Sequence, residues 1–215
     1  MAKTAMKPGT MLSPVPAVMV SCGNADKSNI ITIAWTGIIN SNPPMTYVSV
    51  RKERYSHGII SETGEFVINL TTEDLAKATD FCGVRSGRDV DKAAELGLTM
   101  EAAEIVDCPM ILESPVNLEC KVTEVKELGS HDMFMAEIVK VHADEALFDE
   151  KGRLCLEKAG LIGYSHGEYF GLKKHPLGKF GFSVMKPKTR KRINRENARR
   201  RQGLRAGRSR KKKKG

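Results

Sequence analysis

The stretch from Asn29 to His57, NIITIAWTGIINSNPPMTYVSVRKERYSH, limits what this chain can fold into more than any other. Ile30, Thr32, Ala34 and Thr36 alternate with Ile31, Ile33, Trp35 and Gly37, the period-two pattern of a strand with one set inward and the other outward. A second β-rich run covers Met45 to Val50. Between them Asn42-Pro43-Pro44 forms a corner, because proline lacks the N–H of a ladder and drives its predecessor out of helical geometry. The second run ends in Arg51, Lys52, Arg54, Tyr55, Ser56 and His57, cations and hydroxyls that can seat an anion at the mouth of two adjacent strands.

The rest of the chain repeats this β character. Val15 to Cys22 and the turn residues Gly23 to Lys27 form a hairpin with the stretch above. Gly58 to Gly64 reads as a short polar helical turn, followed by a strand from Glu65 to Leu70. Thr71 and Asp74 resemble a capping box before a helix whose apolar face holds Leu75, Ala78, Thr79 and Cys82. Asp89 caps a second short helix reaching about Glu95, before Gly97. Val116 to Leu128 and Phe134 to His142 make a second hairpin through Gly129 to Asp132, and Tyr164 to Phe182 reads as loop with short strand pieces. This pattern gives a mainly β fold, an antiparallel barrel or sandwich with short helical insertions.

The formal net charge of +9 is unevenly distributed. Lys186 to Gly215 holds 16 Lys and Arg against the single acid Glu196, while the preceding residues hold 19 basic against 25 acidic side chains. The expected organisation is a folded, acidic domain over 1–185 and a disordered basic tail over 186–215, too charged and too poor in apolar residues to fold alone. Such a tail attracts polyanions, and weak nucleic-acid contact through Lys186 to Lys214 is its functional reading; a merely solvated extension is the other. Five widely spaced cysteines without a C-x-x-C pair suggest reduced thiols in a cytoplasmic protein, with neither a disulfide framework nor a metal site. The first residues lack the apolar stretch of a signal peptide, and no run approaches a membrane span.

Taken in order, several motifs carry a resemblance. They are Pro16 with Val20, Asn29 with a small residue five on, the Asn42-Pro43-Pro44 corner, the cluster ending Tyr55-Ser56-His57, and Thr63-Gly64-Glu65-Phe66-Val67-Ile68-Asn69-Leu70. Downstream, FCGVRSGRDVDK (Phe81 to Lys92) and HPLGKFGFSV (His175 to Val184) belong to the same set. From about Pro14 to Met185 the chain resembles the flavin reductase-like, FMN-binding split-barrel family, and its flavoredoxin branch most of all. The resemblance implies a six-stranded Greek-key split barrel, a homodimer, and FMN held near the dimer interface. Consistent with this, no G-x-G-x-x-G follows a strand and no G-x-x-x-x-G-K-[ST] occurs.

Carried over by position, the resemblance places Ala34, Trp35 and Thr36 beside the flavin and Ser49, Val50, Arg51 and Lys52 along its ring and ribityl chain. Ser56 and His57 would complete the phosphate site at the start of a short helix, where free N–H groups favour an anion, with Arg51 or Lys52 adding charge-assisted hydrogen bonds; Asn29 and Tyr55 are further cofactor-binding residues that the resemblance implies. It implies an FMN-dependent oxidoreductase or electron-transfer flavoprotein, fed by NADH or NADPH or exchanging electrons with a small-molecule or protein partner. The flavin carries the chemistry, so no catalytic acid or nucleophile is required. Ala34-Trp35-Thr36-Gly37 departs from the proline and small hydroxyl residues of relatives that reduce free flavin, which favours the flavoredoxin-like branch and leaves nicotinamide use open. From the residues alone, Trp35 is core packing or a ring neighbour, and Arg51, Lys52 and Arg54 are solvated charges or phosphate ligands. Two other functions remain: a nucleic-acid-associated protein using its basic tail, and an FMN-binding protein without turnover.

Overall fold

A computed structural model of the chain describes residues 1–173, 176–189 and 192. It divides into two units, Met1–Lys174 and His175–Gly215. In the second, a short 3-10 turn spans Phe182–Val184. The expected disordered tail lies outside the described residues, apart from Lys186 to Thr189 and Arg192.

The first unit is mainly β. Its strands are β1 (Val15–Pro16), β2 (Val18–Gly23), β3 (Ser28–Ile33), β4 (Thr36–Ser41), β5 (Pro44–Arg51) and β6 (Glu65–Leu70), then β7 (Met100–Glu101), β8 (Met110–Ile111), β9 (Val116–Glu127), β10 (His131–Ala143), β11 (Ile162–Ser165) and β12 (Glu168–Gly171). Three short helices intervene: α1 (Tyr55–Thr63), α2 (Ala76–Val84) and α3 (Lys92–Leu96). Seven strands form one antiparallel sheet in the order β3-β2-β6-β9-β10-β5-β4, while β1, β11 and β12 form a small second sheet. This is the antiparallel Greek-key split barrel with helical insertions. No helix among the described residues is long and apolar enough to cross a membrane.

The sheet curls around Val18, Val20, Ile31, Ile33, Val48, Val50, Phe66, Ile68 and Phe134. These are alternate residues of their strands, as a pleat requires. The other face of β2 and β3 is also buried: Met19 and Ile30 pack with Leu75, Ala78 and Cys82 of the α2 region. A strand covered on both faces reads as a continuous apolar run, which is why VMVSC shows no alternation.

Several expectations need correction. The run from Asn29 to Gly37 is two strands, because the chain leaves β3 at Ile33, crosses Ala34-Trp35 and enters β4 at the opposite edge of the sheet. The sheet therefore has seven strands where six were expected. Pro44 begins β5, opposite Ser41. Helix α1 starts at Tyr55, three residues before the expected turn, and ends on Gly64 in the left-handed region at φ 66°. Thr71 and Asp74 form no capping box, because the Thr71 hydroxyl donates to the Ala17 carbonyl. Asp91, not Asp89, caps α3 by accepting the Ala94 amide at 3.1 Å.

One buried charge ties the barrel to the segment after β7. Glu119 on β9 is fully buried, accepts the amides of Glu104, Ile105 and Val106 at 2.9, 2.7 and 3.0 Å, and lies 2.5 Å from His142 Nε2. Burial alone would raise its pKa, but the His142 bond and the three N–H donors together outweigh that and hold it below the ordinary value of 4.5. Its contribution to stability is therefore present above pH 4.5 and is lost as pH falls through the lowered folded value. Glu119→Gln should destabilise the protein by about 1–3 kcal/mol at neutral pH, since an amide cannot match four donors. Urea denaturation across pH should show the gap to wild type narrowing below 4.5; a gap independent of pH would refute the assignment.

Candidate functional site

The barrel is closed by very little chain. β3 and β4 are the two edges of the sheet, yet only Ala34 and Trp35 separate them in sequence. Past the last β4–β5 pair, Thr36 with Val48, the Ser49 amide donates to the Trp35 carbonyl at 2.9 Å. Beyond that bond β3 and the end of β5 diverge, leaving a seam.

A cavity of about 610 Å³ occupies the seam. Ile31 to Trp35 form one side, Ser49 to Arg51 another, Asp80, Gly83 and Val84 of α2 a third, and Tyr164, Gly167 and Tyr169 of the β11–β12 hairpin close over it. His131 completes the wall, its ring 4.5 Å from that of Trp35 and tilted by 50°. Trp35 is 43% exposed, so it is a wall of the cavity and not core packing. Tyr169 donates its hydroxyl to Asp80 at 3.3 Å, and burial, reinforced by that carboxylate, pushes its phenol up to about 12. Burial first and the Arg51 charge second hold His131 below the ordinary histidine value, which keeps it neutral at physiological pH.

A second cavity, of about 170 Å³, adjoins the first through Ile31, Glu53 and Arg54. Asn29, Tyr55 and Ser56 line it together with Arg85, Ser86, Gly87, Arg88 and Lys92. It lies at the first turn of α1, where backbone N–H groups have no helical acceptor. Asn29 Nδ2 donates to Ser56 Oγ at 2.7 Å, locking that turn onto β3. Arg54 donates to the Gly83 carbonyl of α2. Lys92 is buried, and its ammonium donates to the Ile30 and Cys82 carbonyls at 2.6 and 2.9 Å. Burial, with a smaller push from Arg54, holds its pKa below the ordinary lysine value, and no carboxylate contacts it among the described residues.

The structure thus brings Ala34, Trp35, Ser49, Val50 and Arg51 to the larger cavity and Asn29, Tyr55 and Ser56 to the smaller. It does not bring Thr36, Lys52 or His57 to either. The Thr36 hydroxyl is spent on the Tyr47 carbonyl at 2.5 Å, across the β4–β5 ladder. Lys52 turns outward to Glu127 at 2.8 Å and Asp132 at 3.4 Å. The His57 ring lies one helical position round from Ser56, 2.8 Å from Asp132 and edge-on to Phe134. The sequence reading missed Arg85, Ser86, Gly87, Arg88 and Lys92, although all five lie in the FCGVRSGRDVDK motif. It also missed Asp80, His131, Tyr164 and Tyr169, which no local pattern marks.

The antiparallel split barrel thus holds a cavity of about 610 Å³ in its seam and, beside it, a smaller one lined with cations. The chain belongs to the flavin reductase like domain family, whose model matches residues 10–173. Among solved structures it is similar to the flavoredoxin of Desulfovibrio vulgaris (Miyazaki F), at 31% identity and a TM-score of 0.78, over 85% of this chain and 100% of that one. It is also similar to flavoredoxin from Methanosarcina acetivorans, at 28% identity and a TM-score of 0.77, over 86% of this chain and 100% of that one. An uncharacterized protein of Archaeoglobus fulgidus is 34% identical over 140 residues, 65% of this chain and 78% of its own length. Family and fold together suggest a flavin cofactor and oxidoreductase activity.

The smaller cavity depends on one close approach. A Cβ on Gly87 would lie 2.1 Å from Asn29 Oδ1. Gly87→Ala should displace Asn29, break its bond to Ser56 and cost about 1–3 kcal/mol in chemical denaturation. Gly58→Ala, on α1 with nothing within 4 Å of the added carbon, should be neutral or slightly stabilising. Equal effects of the two substitutions would show that the approach does not matter.

Proposed function

We propose that this protein is an FMN-dependent oxidoreductase of the flavoredoxin kind, which takes electrons from a donor and passes them to an acceptor through a flavin held in the seam. The observation that carries this reading is the joined pair of cavities, one walled by the rings of Trp35, His131, Tyr164 and Tyr169 with Arg51, Glu53 and Asp80 among them, and the other by Arg54, Ser56, Ser86 and Lys92. Those donors fit a phosphate monoester, while the walls of the larger cavity suit a flat heterocycle. FMN, when bound, supplies the capacity to accept a hydride or single electrons.

The chain's own residues bind, orient and exclude water. Trp35 and His131 give an aromatic wall on one side, their rings tilted to each other, and Tyr164 and Tyr169 cover another. Arg51 stands on the wall of the ring cavity with Glu53 at 3.5 Å, and its guanidinium gives that wall donors for the polar edge of a bound ring. Lys92 has its stem buried and two of its three N–H bonds fixed on carbonyls, so the remaining proton is the one available to a phosphate oxygen. Five free buried thiols among the described residues suit a reducing, cytoplasmic setting.

Purified protein should carry or take up FMN, seen as flavin absorbance and by chromatography of the released cofactor. Lys92→Met should weaken FMN at least about tenfold through loss of a charge-assisted bond, with a smaller effect on riboflavin, which lacks the phosphate. Anaerobic mixing with NADH and then NADPH decides the donor, by bleaching of the flavin band. A protein that stays colourless and ignores added FMN refutes the reading; stable FMN without bleaching by either nicotinamide points to a protein donor.

The reading includes a homodimer. β4 exposes Ile38 and Ile39, at 72% and 45%, next to Trp35 at the cavity rim. Sedimentation equilibrium should give twice the chain mass, and Ile38→Lys should shift it toward the monomer.

A further inference from the structure

The basic segment from Lys186 to Gly215 is an addition to the barrel. The family's domain stops at residue 173, and a flavoredoxin of known structure is matched over its whole length by 85% of this chain. Among the described residues, none beyond Tyr169 lines either cavity. The charge of the segment is of one sign: nine arginines and seven lysines stand against Glu196 alone, whereas the first 185 residues carry 19 basic and 25 acidic side chains. The net charge of the folded part repels a polyanion, and the segment attracts one.

Which polyanion follows from what else the segment holds. A helix that lies in a membrane surface needs an apolar face rich in Trp, Phe or Leu, and here Ile193 and Leu204 are the only large apolar residues. Single-stranded nucleic acid is held by aromatic rings stacked on its bases, and the segment has no Phe, Tyr or Trp. A duplex presents a regular row of phosphates instead, and a guanidinium meets their oxygens with a planar fork.

The spacing of the cations gives the segment a side. Pro187, Lys188, Thr189 and Arg192 are helical, and proline suits the first position of a helix. Carried on at that period, the sequence puts Lys188, Lys191, Arg192, Arg195 and Arg199 on one face, at i, i+3, i+4, i+7 and i+11. Arg190, Arg200 and Arg201 fall on the opposite side with Ile193 and Leu204. The basic face extends about 16 Å along a helix, a length over which one strand of a duplex carries about five phosphates. Arginine-rich segments that do not fold alone fold when they bind such a row.

We propose that residues 186–215 are an arm that grips the phosphate backbone of a nucleic-acid duplex along this basic face, and so holds the flavoprotein on RNA or DNA. The two duplexes offer the same phosphodiester chemistry and differ in groove shape. The proposal does not depend on the flavin reading.

The test uses the full chain, titrated by fluorescence anisotropy against labelled RNA and DNA duplexes of about 20 base pairs, long enough for a whole basic face. Affinity should fall about a thousandfold between about 50 and 200 mM salt. Lys191→Gln/Arg195→Gln/Arg199→Gln should flatten the slope of log affinity against log salt by about 3. Arg190→Gln/Arg200→Gln/Arg201→Gln, which removes the same charge from the opposite side, should flatten it by less than about 1. An unchanged thermal unfolding midpoint shows that the barrel of each variant is intact. Tighter binding of one duplex at equal salt assigns the arm to that nucleic acid, and equal binding supports a grip on the backbone common to both. Equal losses from the two variants, or no loss from either, overturn the proposal. So does binding to phosphatidylserine vesicles, at matched phosphate concentration, as tight as binding to the duplexes.

Discussion

The bond from the Ser49 amide to the Trp35 carbonyl is the point on which the rest of this molecule depends. Two edge strands of a seven-stranded sheet are joined there by two residues, and one backbone hydrogen bond marks where pairing stops. Above it β4 and β5 continue as a ladder; below it β3 and β5 part and leave room for a ligand. A fully paired barrel of this size would be filled with side chains. The split converts a packing problem into a binding site.

The polar groups around the seam follow the same logic. Several are held by a bond to backbone or to a neighbouring element, which fixes that part of the cavity before any ligand arrives. Thr32 bonds the Thr79 carbonyl, Arg54 the Gly83 carbonyl and Lys92 the Ile30 and Cys82 carbonyls, which together fasten α2 and α3 to β3 and α2 to the start of α1. The two helices cover the outer face of the barrel and supply one wall of the site. A ligand would meet groups whose orientation has already been paid for in folding, which lowers the cost of binding.

Much of the barrel was legible in the residues. The hairpin of β2 and β3, strand β6, the long β9–β10 hairpin and the apolar face of α2 follow from period, turn residues and glycine punctuation. What failed were local rules that tertiary contacts overrode. The expected capping box lost Thr71 to the Ala17 carbonyl, and alternation across Ala34 and Trp35 concealed a crossing from one sheet edge to the other. At the site, eight of the eleven expected residues reach a cavity wall; Thr36, Lys52 and His57 are drawn off by Tyr47, Glu127 and Asp132. Lys52 and His57 look like ligands in a list of cations, and nothing in their own neighbourhood reveals acids more than seventy residues away.

The sequence by itself determined the β character, the proline corner, the cationic cluster at the end of β5 and the separation of an acidic folded part from a basic C-terminal segment. These depend on side-chain period and charge, which are local quantities. Only the tertiary structure decided that the cluster divides, with Arg54 and Ser56 turned into a cavity and Lys52 and His57 onto Asp132. It also decided that Lys92 and the Arg85–Arg88 turn join the site, and that His131, Tyr164 and Tyr169 wall it. Those placements come from curling a sheet until its two edges meet, and that geometry is a property of the whole ladder rather than of any one segment.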